Sequence, residues 1–167
     1  MLDVLQTVAL IAATMTMGIM AGIFGLYAHT IMPGLRRTDD RTFIGAFQSI
    51  DRAIINPWFM AGGFLGALIF TGLAALLHIG GDEGAALPWI VVAFVLYLAV
   101  VIVTIAVNVP LNNEIKAAGD PDRIADVGAV RKRFDEARWA RWNVLRAVAT
   151  TAALGCLAWA LVQHGRL

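Results

Sequence analysis

The sequence is short of the residues on which soluble proteins depend. One cysteine, Cys156, stands among 167 residues, inside an apolar run. A disulfide framework and a cysteine-based metal site are thereby excluded, and a buried small residue is the expected role. Charge is scarce as well. Asp, Glu, Lys and Arg make up 15% of the chain, against roughly a quarter in soluble domains. That deficit argues against a disordered chain, a nucleic-acid module and an ordinary soluble enzyme. The start, Met1-Leu2-Asp3, lacks the positive leader of a signal peptide, so the first apolar run is expected to stay in the protein. No internal repeat and no low-complexity tract interrupts the chain.

What is present is apolar surface. Hydrophobic residues reach 59% and mean hydropathy is +0.74, the values of a chain whose solvent is mostly lipid. A bilayer core about 30 Å thick needs about 20 apolar helical residues. Four runs meet that length: Val4–Ile31, Pro57–Leu77, Ala85–Pro110 and Val144–Val162. The reading is an all-α integral membrane four-helix bundle, one domain over residues 1–167, with amphipathic and charged connecting helices. Between runs one and two, Phe43, Phe47, Ile50 and Ile54 recur at helical spacing, which predicts a short amphipathic helix lying on the membrane surface. Thr38 to Arg41 would start it and Asn56-Pro57 would stop it. The second connection, His78 to Gly84, reads as a tight Gly-rich turn. In the third, Ala117 to Pro121 reads as a break and Arg123 to Trp142 as a charged helix leading into the fourth span. The pairs Gly18/Gly22 and Gly62/Gly66 predict close approach of helix backbones.

The positive residues give a topology. Arg36, Arg37, Arg41 and Arg52 follow span one, and Lys116, Arg123, Arg131, Lys132, Arg133, Arg138 and Arg141 follow span three, which is eleven of the 13 Lys and Arg. The second connection carries only Asp82 and Glu83. Because Lys and Arg collect in cytoplasmic loops, connections one and three are expected in the cytoplasm of a cell with this protein in its inner or plasma membrane. Both termini are then extracytoplasmic.

That topology brings polar residues of all four spans to one end. His29 closes span one, Asn56 opens span two, Asn108, Asn112 and Asn113 close span three, and Trp139, Trp142, Asn143 and Arg146 open span four. The last four share one helix face by spacing. Arg146 lies about one turn inside the apolar run and is expected to face the bundle, where Asn oxygens, carbonyls freed near Pro110 or a bound anion would receive it. Snorkelling to the headgroups is the bland alternative. The asparagines also have a structural role open to them, capping helices and tying spans three and four together. For Trp139 an interface belt is the expected role; for Trp142 belt and pocket wall stand equal. His29 is expected to be a solvated boundary residue, yet as the histidine at this end it is a candidate base. His78 and His164 are expected in a solvated loop and tail, where two imidazoles alone make a poor metal site.

The motifs Asn108-Val109-Pro110-Leu111-Asn112-Asn113 and Trp139-x-x-Trp142-Asn143-x-x-Arg146, with Met32-Pro33-Gly34-Leu35 and Asn56-Pro57-x-Phe59, resemble the anthrone oxygenase-like family of small four-span membrane proteins. The resemblance covers essentially the whole chain. It implies oxidation of an anthrone or similar lipophilic phenolic substrate by dioxygen, as in fungal members. The chain departs from the family pattern at Asp51-Arg52, where Asn is expected before the Arg. An acid there would serve as base or hold Arg146, or pair with Arg52 or another surface charge. On the oxygenase reading His29 or Asp51 is the base and Arg146, Asn108 and Asn143 steady the anion. Asn56, Asn112 and Trp142 then line the substrate site, with Trp142 and Phe24 against a flat ring. No haem ligand pair, iron triad or flavin fingerprint is evident, so no cofactor is expected, with an unidentified metal or a quinone left open. A non-catalytic lipid- or quinone-binding or accessory protein is the rival reading. A transporter is disfavoured because the spans hold no repeat and no carboxylate relay. The expected partners are the lipid bilayer and a lipophilic small molecule, with no nucleic acid; a homo-oligomer stays open.

Overall fold

The computed structural model describes residues 1–80 and 85–166. Its long helices are α1 (Leu2–Leu35), α3 (Trp58–Leu77), α4 (Leu87–Ala117) and α6 (Glu136–His164). Two short ones, α2 (Asp40–Ile54) and α5 (Val127–Phe134), sit between them. Among the described residues there is no strand. Among the same residues four helical stretches are long and apolar enough to cross a membrane, the fourth including α5 as well as α6. The turn expected over His78–Gly84, with Asp82 and Glu83, lies outside the described residues from position 81 onward.

The bundle is square. α1 packs on α3 and α6, and α4 packs on the same two helices. Its interior holds Leu10, Met17, Met20, Ile90, Tyr97 and Leu157, all fully buried. Outward-facing Met15, Ile69, Val95 and Val148 are more than half exposed, an apolar surface that suits lipid. Since lipid gives no hydrophobic drive between spans, packing and polar contacts must hold them. The buried hydroxyls of Thr16, Thr71 and Thr150 bond back to carbonyls of their own helices, so no span carries an unsatisfied hydroxyl there.

Several expectations change. The amphipathic helix α2 does not lay its apolar face in lipid. Phe43, Ile44 and Phe47 are buried against Ile115, Val130, Phe134 and Trp139, a second core outside the main bundle. Phe47 lies 4.7 Å from Phe134 and 5.6 Å from Trp139, ring centre to ring centre. Its start agrees with the sequence, because the Asp39 carboxylate accepts from the amides of Arg41 and Thr42, and it ends before Asn56-Pro57. Arg131 ties this layer together, reaching Asp40 at 2.9 Å and Glu136 at 3.0 Å. The third span runs on to Ala117 rather than stopping at Pro110. The residues just before the proline, Thr104–Asn108, form a π turn, so the missing N–H falls where the regular ladder is already offset. The charged segment before span four is broken at Asp135, which adopts a left-handed φ of 50°. Its side chain then caps α6 by accepting from Arg138 N.

The glycine pairs do not act as expected. Nothing approaches a Cβ placed on Gly22, and Gly18 meets only the Leu154 side chain. At Gly66 a Cβ would stand 2.5 Å from the Ala61 carbonyl oxygen of the same helix, because a π turn at Trp58–Phe64 brings that carbonyl inward. Glycine is therefore required there by helix shape, not by a neighbouring span. Cys156 is only half-buried. His78 and His164 are not solvated: His78 is 1% exposed and the two rings meet edge-on at 5.3 Å. His164 Nε2 lies 2.7 Å from the Thr7 hydroxyl. Among the described residues no three His, Cys, Asp or Glu side chains are grouped to hold a metal.

Candidate functional site

Three spans change helix type at one level. π turns occupy Tyr27–Ile31 in α1, Trp58–Phe64 in α3 and Thr104–Asn108 in α4, while α6 stays regular. Such turns widen a helix and free carbonyls for other partners. The Tyr97 hydroxyl donates to Phe64 O, at the end of the α3 π turn, at 3.0 Å. Between the widened segments, at the end of the bundle carrying α2 and α5, lies a cavity of about 210 Å³. Its wall is mostly apolar, with Phe24, Phe59, Phe64 and Trp139 contributing rings, and its polar groups are Asp51, Asn112, Asn143, Arg146, Thr104 and Tyr27.

Those polar groups form two strings. In the first, the Lys116 ammonium meets Asp51 Oδ2 at 2.7 Å, Asn112 Nδ2 donates to Asp51 Oδ1 at 2.6 Å, and Trp139 Nε1 donates to Asn112 Oδ1 at 2.7 Å. In the second, Arg146 donates to Asn143 Oδ1 at 2.8 Å and to Thr104 Oγ1 at 3.2 Å. Asn143 Nδ2 in turn donates to the Phe24 carbonyl at 3.1 Å. The guanidinium also sits over the Phe24 ring at 4.6 Å and the Trp139 ring at 5.5 Å.

Arg146 is 5% exposed, and among the described residues its Nε finds no hydrogen-bond partner. Among the described residues no carboxylate lies within ion-pair distance of it. A buried cation without a counter-charge is costly, and this one borders an open cavity. The arrangement can receive an anionic or anion-forming oxygen while stacking its carbon skeleton against aromatic rings.

Of the residues expected at the site, the fold brings Asp51, Asn112, Asn143 and Arg146 to the cavity wall. Asn108 is buried close by, its Nδ2 3.4 Å from Trp139 O, but it does not line the cavity. Three others stand apart. His29 is exposed on the π turn of α1, bonded through Nδ1 to the Thr30 hydroxyl. Asn56 is a helix cap: its Oδ1 accepts from Phe59 N at 2.9 Å and its Nδ2 donates to Ala53 O. Trp142 is half-buried and off the cavity wall, and it is Trp139, expected in a belt, that is 3% exposed and lines the cavity. Trp139, Asn143 and Arg146 do share the cavity side of α6, as their spacing predicts, while Trp142 stands off it; α5 and α2 cover the first turn of α6 at Trp139. Of the readings open for Asp51, pairing with another charge is the one seen: its partner is Lys116 rather than Arg52.

Sequence reasoning missed Thr104, Lys116 and Tyr27. The first two carried a signal. Thr104, Asn108, Asn112 and Lys116 recur every four residues along α4, a polar stripe on one helix side.

These features define a bundle of four helices long and apolar enough to span a membrane, with a mostly apolar cavity at its charged end. A family model for anthrone oxygenase matches residues 56–156, more than half of the chain, and the chain belongs to that family. No curated protein and no solved structure matches it.

Proposed function

We propose that the cavity binds a flat, lipophilic phenol or anthrone-like molecule and oxidises it with dioxygen. The observation that carries this reading is the buried, uncompensated Arg146 on the wall of an aromatic-lined cavity, in a chain of the anthrone oxygenase family. Asp51 is the base of this reading, since the other candidate, His29, lies outside the cavity. The methylene of an anthrone, set between two aryl rings and conjugated through them to the carbonyl across the central ring, gives up one proton to Asp51, and the charge moves to the carbonyl oxygen, which Arg146 holds. The electron-rich carbon then bonds dioxygen. Loss of water leaves a new carbonyl: one oxygen atom stays on carbon, the other departs with both methylene hydrogens. Carbon loses four electrons and dioxygen gains four. The bias of Lys and Arg supports placing the cavity at the cytoplasmic end, with both termini outside.

The test is oxygen uptake by the purified protein in nanodiscs with anthrone. The expected result is uptake with quinone formation, lost in Arg146→Ala and in Asp51→Asn. No uptake across a panel of anthrones and hydroquinones overturns the reading. One observation favours a second reading, a binding protein without chemistry: both Asp51 oxygens already have partners, Asn112 and Lys116. Ligand binding that survives Asp51→Asn, with no turnover in the parent protein, selects it.

A further inference from the structure

Toward the charged end the cavity is backed by buried aromatic residues, and on one side its lining is exposed. Above it, α2 and α5 seat Phe43, Phe47 and Phe134 against Trp139, and the Lys116–Asp51–Asn112 string fills the remaining polar gap. Lys116 is about one quarter exposed while the Asp51 side chain is 8% exposed, so this wall shows little surface to solvent. The side wall differs. Ile55 and Val109 both line the cavity, yet Ile55 is 59% exposed and Val109 40% exposed. They belong to the junction between α2 and α3 and to the segment of α4 just past its π turn. Their surroundings mark the depth. Exposed Arg52 lies on one side of Ile55 and Trp58, 64% exposed, on the other; on α4, Ile105 is 62% exposed one turn deeper. A sequence of charge, tryptophan and aliphatic residues is that of the boundary between headgroups and acyl chains.

We infer that the exposed stretch of cavity wall at Ile55 and Val109 is a lateral portal, through which an aromatic ligand dissolved in the bilayer enters the cavity without crossing water. The inference rests on the cavity being a ligand site. It adds the route and assigns Ile55 and Val109 as its rim. The chemistry it selects is a molecule that partitions into lipid and carries its acidic or enolisable oxygen at one edge. That edge meets Arg146 after the ring has passed the aliphatic rim.

The portal is tested in two ways. Ile55→Cys and Val109→Cys, each in a Cys156→Ala background, are labelled with a small fluorophore in liposomes. Arg123→Cys, whose native side chain is 88% exposed, serves as the aqueous control. The expected result is strong quenching of both rim labels by brominated phospholipid and at least a fivefold smaller iodide quenching constant than at the control. Iodide quenching equal to the control overturns the portal. Separately, loading of anthrone from the bilayer is followed by stopped-flow fluorescence. Val109→Trp is expected to slow loading at least tenfold and Val109→Ala to load at least as fast as the parent; equal rates in all three overturn the proposal. Should the parent bind no anthrone, the ligand reading fails while the quenching result still decides whether the rim faces lipid.

Discussion

Replacing Arg146 by methionine separates a ligand-binding cation from a structural strut, because the two roles predict opposite balances. Methionine keeps the aliphatic length and removes the charge. On the folding side, Asn143 Oδ1 loses its donor, while Asn143 Nδ2 keeps Phe24 O and Thr104 keeps its bond to Val100 O at 2.8 Å. An orphaned buried acceptor costs about 1–3 kcal/mol, and the lost stacking on Phe24 and Trp139 adds about 0.5–2 kcal/mol. Against this, removing a buried cation that no carboxylate compensates returns several kcal/mol. Folding of Arg146→Met is therefore expected to be as stable as the parent or more so. On the binding side the ligand oxygen loses a charge-assisted hydrogen bond worth about 1.5–3 kcal/mol, which is about 10- to 150-fold in affinity. Lysine keeps the charge but not the planar fork and is expected to fall between. The assay is titration of anthrone in nanodiscs beside SDS unfolding of the same preparations. A large loss of stability with unchanged affinity in the folded fraction refutes the argument and makes Arg146 a strut for Asn143 and Thr104.

Other expectations follow from single contacts. Gly66→Ala places a methyl against the Ala61 carbonyl and should destabilise the bundle by about 1–3 kcal/mol, whereas Gly22→Ala, with open space around it, should be neutral in the same unfolding assay. Lys116→Met leaves the Asp51 carboxylate without its cation; given the partial exposure of Lys116, a loss of about 1–3 kcal/mol is expected, largely restored by Lys116→Arg. The Thr42 hydroxyl, with the Thr42 and Arg41 amides, holds the Asp39 carboxyl below its ordinary range. Its cap is therefore fully present above the ordinary Asp value of about 3.9 and is lost as pH falls through the lower folded value. Hydrogen exchange at the first turn of α2 should accelerate over that acid window, and Asp39→Asn should remove the pH dependence.

The spans and their charges were legible because lipid imposes length and composition on a helix whatever it packs against. Arg146, Asn143 and Asn112 were legible for a related reason: a polar group that deep must find protein partners. Trp139 and Trp142 show where this stops. Both stand on the same stretch of α6 and both suit an interface, and only the layer built by α2 and α5 decides which is covered. His29 is the exposed boundary residue its place in the sequence suggests; its position off the cavity wall was not legible, because nearness to the charged end does not say which side of α1 it occupies. Gly66 illustrates a third kind of blindness. Its pattern suits a helix–helix contact, but the constraint comes from a π turn, which has no spacing signature of its own in a run of apolar residues.

The π turns have one more consequence. Each holds one residue more than the regular helix would over the same rise, and one residue corresponds to about 100° of rotation. α1 and α4 are thus each two helices joined out of phase, one part set for the lipid-packed core and the other for the cavity, while α3 opens on its π turn and runs regularly from Leu65. Deleting a single residue from Thr104–Asn108 would bring α4 into one phase throughout and swing Asn112 and Lys116 about a quarter-turn away from Asp51 and Trp139. The polar wall of the cavity depends on this slip in register as much as on the identity of the side chains that form it.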